Sequence, residues 1–295
     1  MNKIIIMADS TCDLNKDYIE KHDIKIVPLH VTINGDPTEY LDGVNLTSEE
    51  VYKLVEKYGN TPKTGARNVS EFISDFDKYI KEGYDIIYTG IGSGLSSTYN
   101  NAVLASKEFR EGRIEIVDSQ NLSTGIGLLV NKMVIFRDEG MDVHQIASKV
   151  RELVPLVSAK FCINRLDYLY KGGRCSGMTK IFAHMLKIHP VAKVIDNKLQ
   201  VYKKPRGDYR EAVNFQIEEF IRDLKDKNID LDKVYVTDSG HMDGEDEYMI
   251  KQLSKYIDKN IIEHTKAGCV ISSHCGPKTI GVLYILKHPV EEKKK

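Results

Sequence analysis

The residues best suited to chemistry lie in Tyr88–Asn101, YTGIGSGLSSTYNN. Gly90, Gly92 and Gly94 recur at every second position, and the hydroxyls of Ser96, Ser97 and Thr98 follow. The apolar run Asp85–Tyr88 predicts a strand before them, and a helix is expected from about Tyr99 to Phe109. A strand, a glycine loop and a helix N-terminus in that order make an anion site. Glycine lets the chain turn sharply, and the first amides of a helix lack partners and carry partial positive charge. A plain turn with a hydroxyl N-cap is the duller reading of the same residues.

Two nucleotide loops are excluded by single positions. Leu95 stands where a dinucleotide fingerprint needs its third glycine, and no Gly-Lys-Ser/Thr follows as a P-loop requires. The expected anion is therefore met by neutral donors. A second donor set lies in Gly59–Asn68, GNTPKTGARN, read as a loop carrying Thr61, Lys63, Thr64, Arg67 and Asn68. A third candidate is His274, in a predicted glycine–cysteine linker before Cys275-Gly276-Pro277. His264, Cys269, His274 and Cys275 share no common zinc spacing, and adjacent ligands strain a tetrahedron. Ser93 lies in Gly-Ser-Gly, and a nucleophile elbow needs G-x-S-x-G. No metal and no cofactor are expected.

The elements that must hold these residues alternate. Strand patterns at Lys3–Ala8, Ile24–Ile33, Asp85–Tyr88 and Arg113–Val117 are separated by helical patterns. Those include Thr47-Ser-Glu-Glu50, a capping box that opens a helix to Tyr58. Asp9-Ser-Thr-Cys-Asp13 ends the first strand, either beside a ligand or capping the next helix. Strand–helix alternation predicts a mostly parallel sheet with covering helices. After Pro155 the pattern changes. A hairpin is expected about Asp196-Asn197, then a long helix from Tyr209, then strands at Val234–Thr237 and Ile280–Leu286. The expected fold is α/β and two-lobed: residues 1–156 form a lobe around the glycine loop, residues 157–289 a mixed α/β lobe, and residues 290–295 a charged tail.

The totals exclude more than they identify. A net charge of −1 with 29% charged residues argues against nucleic acid as a partner. No apolar run is long enough to span a bilayer. The apolar start ends at Asp9 and is too short for a signal-peptide core, so a cytoplasmic protein is expected. Five scattered cysteines fit reduced thiols.

The motifs together resemble the DegV family. They are Asp9-Ser-Thr-Cys-Asp13, Pro62-Lys-Thr64, Ser93-Gly-Leu-Ser96, Val117-Asp-Ser119, Leu166-Asp-Tyr-Leu169 with Gly172-Gly-Arg174, and His274-x-Gly-Pro277. They run in order along nearly the whole chain. The resemblance implies a two-lobed α/β fold with a long-chain fatty acid between the lobes and its tail in an apolar tunnel. It implies that Thr64 and Ser96 meet the carboxylate, with His274 and Arg174 nearby, and Ser97 completes the hydroxyl set. The implied protein is not an enzyme. It is a carrier that presents the acid to a separate fatty acid kinase for acyl-phosphate formation in phospholipid synthesis, with transient contact at a membrane surface allowed. Arg174 is the candidate for phosphoryl transfer or kinase docking. The family's Ser-x-Pro-Ser after Lys-Thr is Gly65-Ala-Arg-Asn68 here, and its Ser-Gly-Thr-Tyr is Ser96-Ser-Thr-Tyr99, both expected beside the head group. The alternative is an enzyme on a small anionic substrate, a phosphoester hydrolase or a carboxylate-activating transferase. A ligand sensor is a third reading.

Overall fold

The computed structural model describes residues 3–176 and 189–290. Strands β1 (Ile4–Asp9) and β2 (Lys25–Val27) pair in parallel. Strands β3 (His30–Thr32), β4 (Tyr40–Leu41) and β5 (Lys63–Gly65) form a separate small antiparallel sheet in the order β4-β3-β5. Strands β6 (Asp85–Gly90) and β7 (Ile114–Asp118) complete the first large sheet, parallel throughout, in the order β2-β1-β6-β7.

The second large sheet is mixed. It contains β8 (Val157–Cys162), β9 (Cys175–Ser176), β10 (Val191–Ile195), β11 (Lys198–Lys203), β12 (Ile229–Asp238), β13 (Ile262–Lys266) and β14 (Ile280–Leu286). Their order is β13-β12-β14-β8-β10-β11-β9. Asp196 and Asn197 both have positive φ, 48° and 59°, the geometry of a two-residue hairpin whose twist matches its strands. This is the two-lobed α/β architecture, parallel in one sheet and mixed in the other.

The helix Thr124–Asp138 joins the sheets. Every residue from Thr124 to Val134 is buried. It packs on β1 and β6 of one sheet and on β8, β12 and β14 of the other. Leu128, Leu129, Val130 and Met133 share one core cluster with Ile6 and Ile87 and with Tyr235 and Leu283. Burying each such side chain contributes about 1.5–3 kcal/mol, so this helix holds the lobes together.

Capping follows the sequence where its chemistry is local. Thr47 and Glu50 form the expected capping box at the head of the helix Ser48–Tyr58. Three expectations need correction. The strand pattern Ile24–Ile33 is broken into β2 and β3, which belong to different sheets. Pro28 lies between them; it has no amide to donate and ends the ladder. The loop Gly59–Asn68 contains β5, which carries Thr64. The predicted linker around Cys269 is a helix, Cys269–Cys275. Its β-branched and serine residues favour helix weakly, and burial of Cys269, Val270, Ser272, Ser273 and Cys275 overrides that preference.

Candidate functional site

Most amides of the glycine loop are engaged within the protein. Ile91 N donates to Asp9 Oδ2 at 2.8 Å, and Ser93 N donates to Asp118 Oδ1 at 3.0 Å. Gly92 N reaches Asn121 O, while Leu95 N and Ser96 N both reach Gly92 O. Thr98 N donates to Ser96 Oγ. These amides are occupied, and two of the acceptors are carboxylates that repel an anion. The glycines serve close packing instead. A Cβ on Gly94 would lie 1.9 Å from Asn197 O, and one on Gly90 would lie 2.2 Å from Asp9 Oδ2. The tip of the β10–β11 hairpin thus rests on the loop, fixed by Asn197 Nδ2 donating to Ser93 Oγ at 2.7 Å. Ser93 Oγ in turn donates to Asp118 Oδ2 at 2.5 Å and has no histidine partner among the described residues. Asp9 caps the turn Ser10–Cys12 through Thr11 N, whereas the helix expected near Asn15–His22, Lys16–Lys21, starts at Asn15 with no side-chain cap.

Of the hydroxyls that follow the loop, Ser96 and Ser97 do face a cavity. It holds about 230 Å³ and is lined by residues of both lobes. Its polar side chains are Thr64, Ser96, Ser97, His274 and Arg174. The rest of its wall is mostly apolar, with Leu29, Leu95, Leu122, Leu169, Leu199 and Ile271 prominent. β5 presents Thr64, the turn before the helix Thr98–Ser106 presents Ser96 and Ser97, and the helix Cys269–Cys275 presents His274 from its last turn. All five residues singled out from sequence therefore meet at one cavity. Arg67 does not join them. Its guanidinium pairs with Glu71 and Asp75, and only Gly65 and Ala66 of that departure reach the wall.

Thr64 Oγ1 and His274 Nε2 are 2.8 Å apart. Ser96 Oγ lies 2.9 Å from Thr98 Oγ1, and Ser97 makes no capping bond. Burial holds the His274 imidazole down at about 4, the nearby Arg174 charge adds to this, and the Gly172 carbonyl partly opposes it. At neutral pH it is an uncharged ring. Gly172 is a requirement of the site: a Cβ there would sit 2.5 Å from His274 Nδ1. Gly173 then ends the helix Leu166–Gly172 with φ 67°. Arg174 follows, exposed, with Nη1 donating to Gly172 O at 2.8 Å.

The low midpoint of His274 has a consequence for stability. Its folded-state value lies below the ordinary 6.5. The unfolded chain therefore takes up the proton first, and the stability this group contributes above pH 6.5 is lost as pH falls toward 4. The loss is on the order of 3 kcal/mol. For ligand-free His274→Gln, melting temperature is expected to fall less steeply than wild type across that window. Parallel curves would mean that the imidazole titrates normally.

A second, smaller void of about 30 Å³ shares Leu122 and Ile271 with the first cavity. Its polar side chains are paired within the protein: Thr237 with Thr124 and Thr265, Ser239 with Gly276 O, Thr279 with Cys275 O, Ser123 with Asp13. Such a void suits an alkyl group better than water. Among the described residues, Asp238, Asp246 and His264 could reach one metal ion, and none of the three lines the first cavity. His264 Nε2 lies 2.5 Å from Asp238 Oδ2, an ion pair that raises the imidazole.

Comparison with known proteins gives consistent relatives. The model of the DegV family matches residues 3–287. A DegV domain-containing protein of Clostridium perfringens is 31% identical over 287 residues, 97% of this chain and 99% of that protein. Among solved structures, a stearic-acid-binding protein from Eubacterium ventriosum is 27% identical with TM-score 0.82, covering 97% of this chain and 99% of its own. A fatty-acid-binding DegV family protein from Thermus thermophilus is 25% identical with TM-score 0.84, covering 96% and 99%.

Proposed function

The chain belongs to the DegV family, and from that premise we propose that it binds one long-chain fatty acid and presents the carboxylate to a separate fatty acid kinase. The observation that carries the reading is the polarity of the cavity. Neutral donors from three separate elements gather at it, Thr64, Ser96 with Ser97, and His274, while most of the remaining wall is hydrocarbon. That division fits an amphiphile with a small anionic head. The relatives' fatty-acid and stearic-acid ligands are of this kind. Each buried methylene contributes about 0.8 kcal/mol, so the tail supplies most of the affinity and the donors fix the head. The occupied amides of the glycine loop speak against the alternative, an enzyme that cradles a small anion there.

Native mass spectrometry of the protein purified from bacteria tests this reading. A fatty acid is expected to co-purify, and acyl phosphate is expected only when kinase and ATP are added. An unliganded mass with no uptake on titration would sink the carrier reading.

The second void gives the tail room beyond Leu122 and Ile271. Ala267 borders that void and not the first cavity. Ala267→Leu is expected to lower octadecanoate affinity by about tenfold while leaving decanoate within about twofold, the loss of one or two buried methylenes. Equal losses for both acids would end the tail elsewhere.

A further inference from the structure

Asp42 is 2% exposed and borders neither the cavity nor the smaller void. A buried carboxylate is costly unless strong donors surround it. Here the donors belong to a distant part of the chain. Asp42 Oδ1 accepts from Cys269 N at 2.6 Å, and Oδ2 accepts from Val270 N at 3.3 Å. These are the first two amides of the helix that carries His274, and such amides have no partner within the helix. Gly268 permits the approach: a Cβ there would lie 3.0 Å from Asp42 Oδ1. The next turn strengthens the seam, where Cys269 Sγ donates to Leu46 O at 3.0 Å.

The other end of Asp42 is tied to Thr64. Its own amide donates to Leu29 O at 2.9 Å, directly before β3. It follows β4, which pairs with β3 through His30↔Leu41 and Val31↔Tyr40. β3 pairs in turn with β5 through Val31↔Thr64. One residue thus connects the small sheet that bears Thr64 to the short helix that bears His274. That helix has seven residues, so it is about 10 Å long and moves as one piece. A shift of its first turn, whose N-cap Gly268 also donates from N to Asp13 Oδ1 at 2.8 Å, is expected to carry to its last.

We propose that Asp42 is the positioning residue of the head-group site, setting the Thr64–His274 separation by clamping the N-terminus of the His274 helix to the Thr64 sheet. The role rests on the reading of Thr64 and His274 as carboxylate contacts, and its test does not need a ligand. NMR of the histidine ring follows His274 in ligand-free protein. In wild type the ring stays neutral down to about pH 4. Asp42→Asn keeps the shape, removes the charge and offers one acceptor for two amides. Asp42→Glu keeps the charge and shifts it by one methylene. Both variants are expected to open the helix start, admit water to the ring, and raise its midpoint by about one pH unit or more.

With fatty acid, both variants are expected to bind roughly tenfold more weakly, and Thr64→Val is expected to cost less in their background than in wild type. A residue that only supports global stability lowers the melting temperature without moving the His274 titration. An unchanged midpoint in either folded variant overturns the proposal. A shifted midpoint in a protein that takes up no fatty acid retains the clamp and removes the carrier reading.

Discussion

Thr64→Val is expected to weaken fatty-acid binding by roughly ten- to a hundredfold while keeping the fold. Valine matches the shape of threonine and removes only the hydroxyl. A hydrogen bond to a charged group is worth about 1.5–3 kcal/mol, and 1.4 kcal/mol is tenfold in affinity. The loss has a second part. Thr64 Oγ1 is 2.8 Å from His274 Nε2, so valine also leaves a buried ring nitrogen without that partner. Stability is therefore expected to drop by about 1–3 kcal/mol in the ligand-free protein. Thr64→Ser is expected to restore most of both. Ser96→Ala removes a hydroxyl from a different element, and the two substitutions are expected to combine less than additively, because either one lets the head group shift. Displacement of a fluorescent fatty acid measures the affinities, and thermal melting measures the stability. Wild-type affinity in the double variant would remove both residues from the site.

What the sequence made legible was chemistry with a local cause. The capping box at Thr47 and Glu50 and the hairpin at Asp196 and Asn197 each depend on residues within a few positions of one another. The five candidate residues came from motifs in four separate segments, and the fold brings them to one cavity. What stayed hidden was set by partners far along the chain. Gly92 and Gly94 look like an exposed phosphate loop, yet their missing side chains make room for Asn197. No spacing within the loop records that approach. Asp42 sits in an ordinary Leu-Asp-Gly turn, and its partners Cys269 and Val270 lie more than 200 residues away. The helix Thr124–Asp138 was legible as a helix but not as the link between the sheets. From Thr124 to Val134 it is buried on all sides, so it lacks the one-sided apolar stripe that would say which face packs on what. Arg67 looked like a head-group cation because it follows the Thr64 motif, and Glu71 and Asp75 on the next helix claim it instead.

Arg174→Ala is expected to leave fatty-acid affinity within about threefold of wild type and to lower kinase-dependent acyl-phosphate formation by about a hundredfold or more. Each step needs a different kind of donor. In the proposed kinase step the bound carboxylate would attack the phosphorus of a nucleotide. A bidentate arginine pair would stabilise its charge in the ground state and blunt the attack. Hydroxyls and a neutral imidazole orient it and leave more charge on the attacking oxygen. Negative charge then crowds onto the transferring phosphoryl oxygens, and a cation serves there. Arg174 suits that place. It is exposed at the cavity, donates to Gly172 O among the described residues, and is near enough to His274 to depress its protonation. The competing account is a surface arginine whose contacts contribute about 0–1 kcal/mol. Four results separate the accounts. Normal turnover makes Arg174 a bystander, and lost fatty-acid affinity puts it on the carboxylate. Retained affinity with lost turnover and intact kinase binding assigns it to the phosphoryl step, and lost kinase binding assigns it to docking. In the ligand-free variant the His274 midpoint should also rise above about 4, because one of the two causes that hold it down is gone. Arg174→Lys keeps the charge and loses the planar fork, so partial turnover is expected there if the cation acts by charge alone.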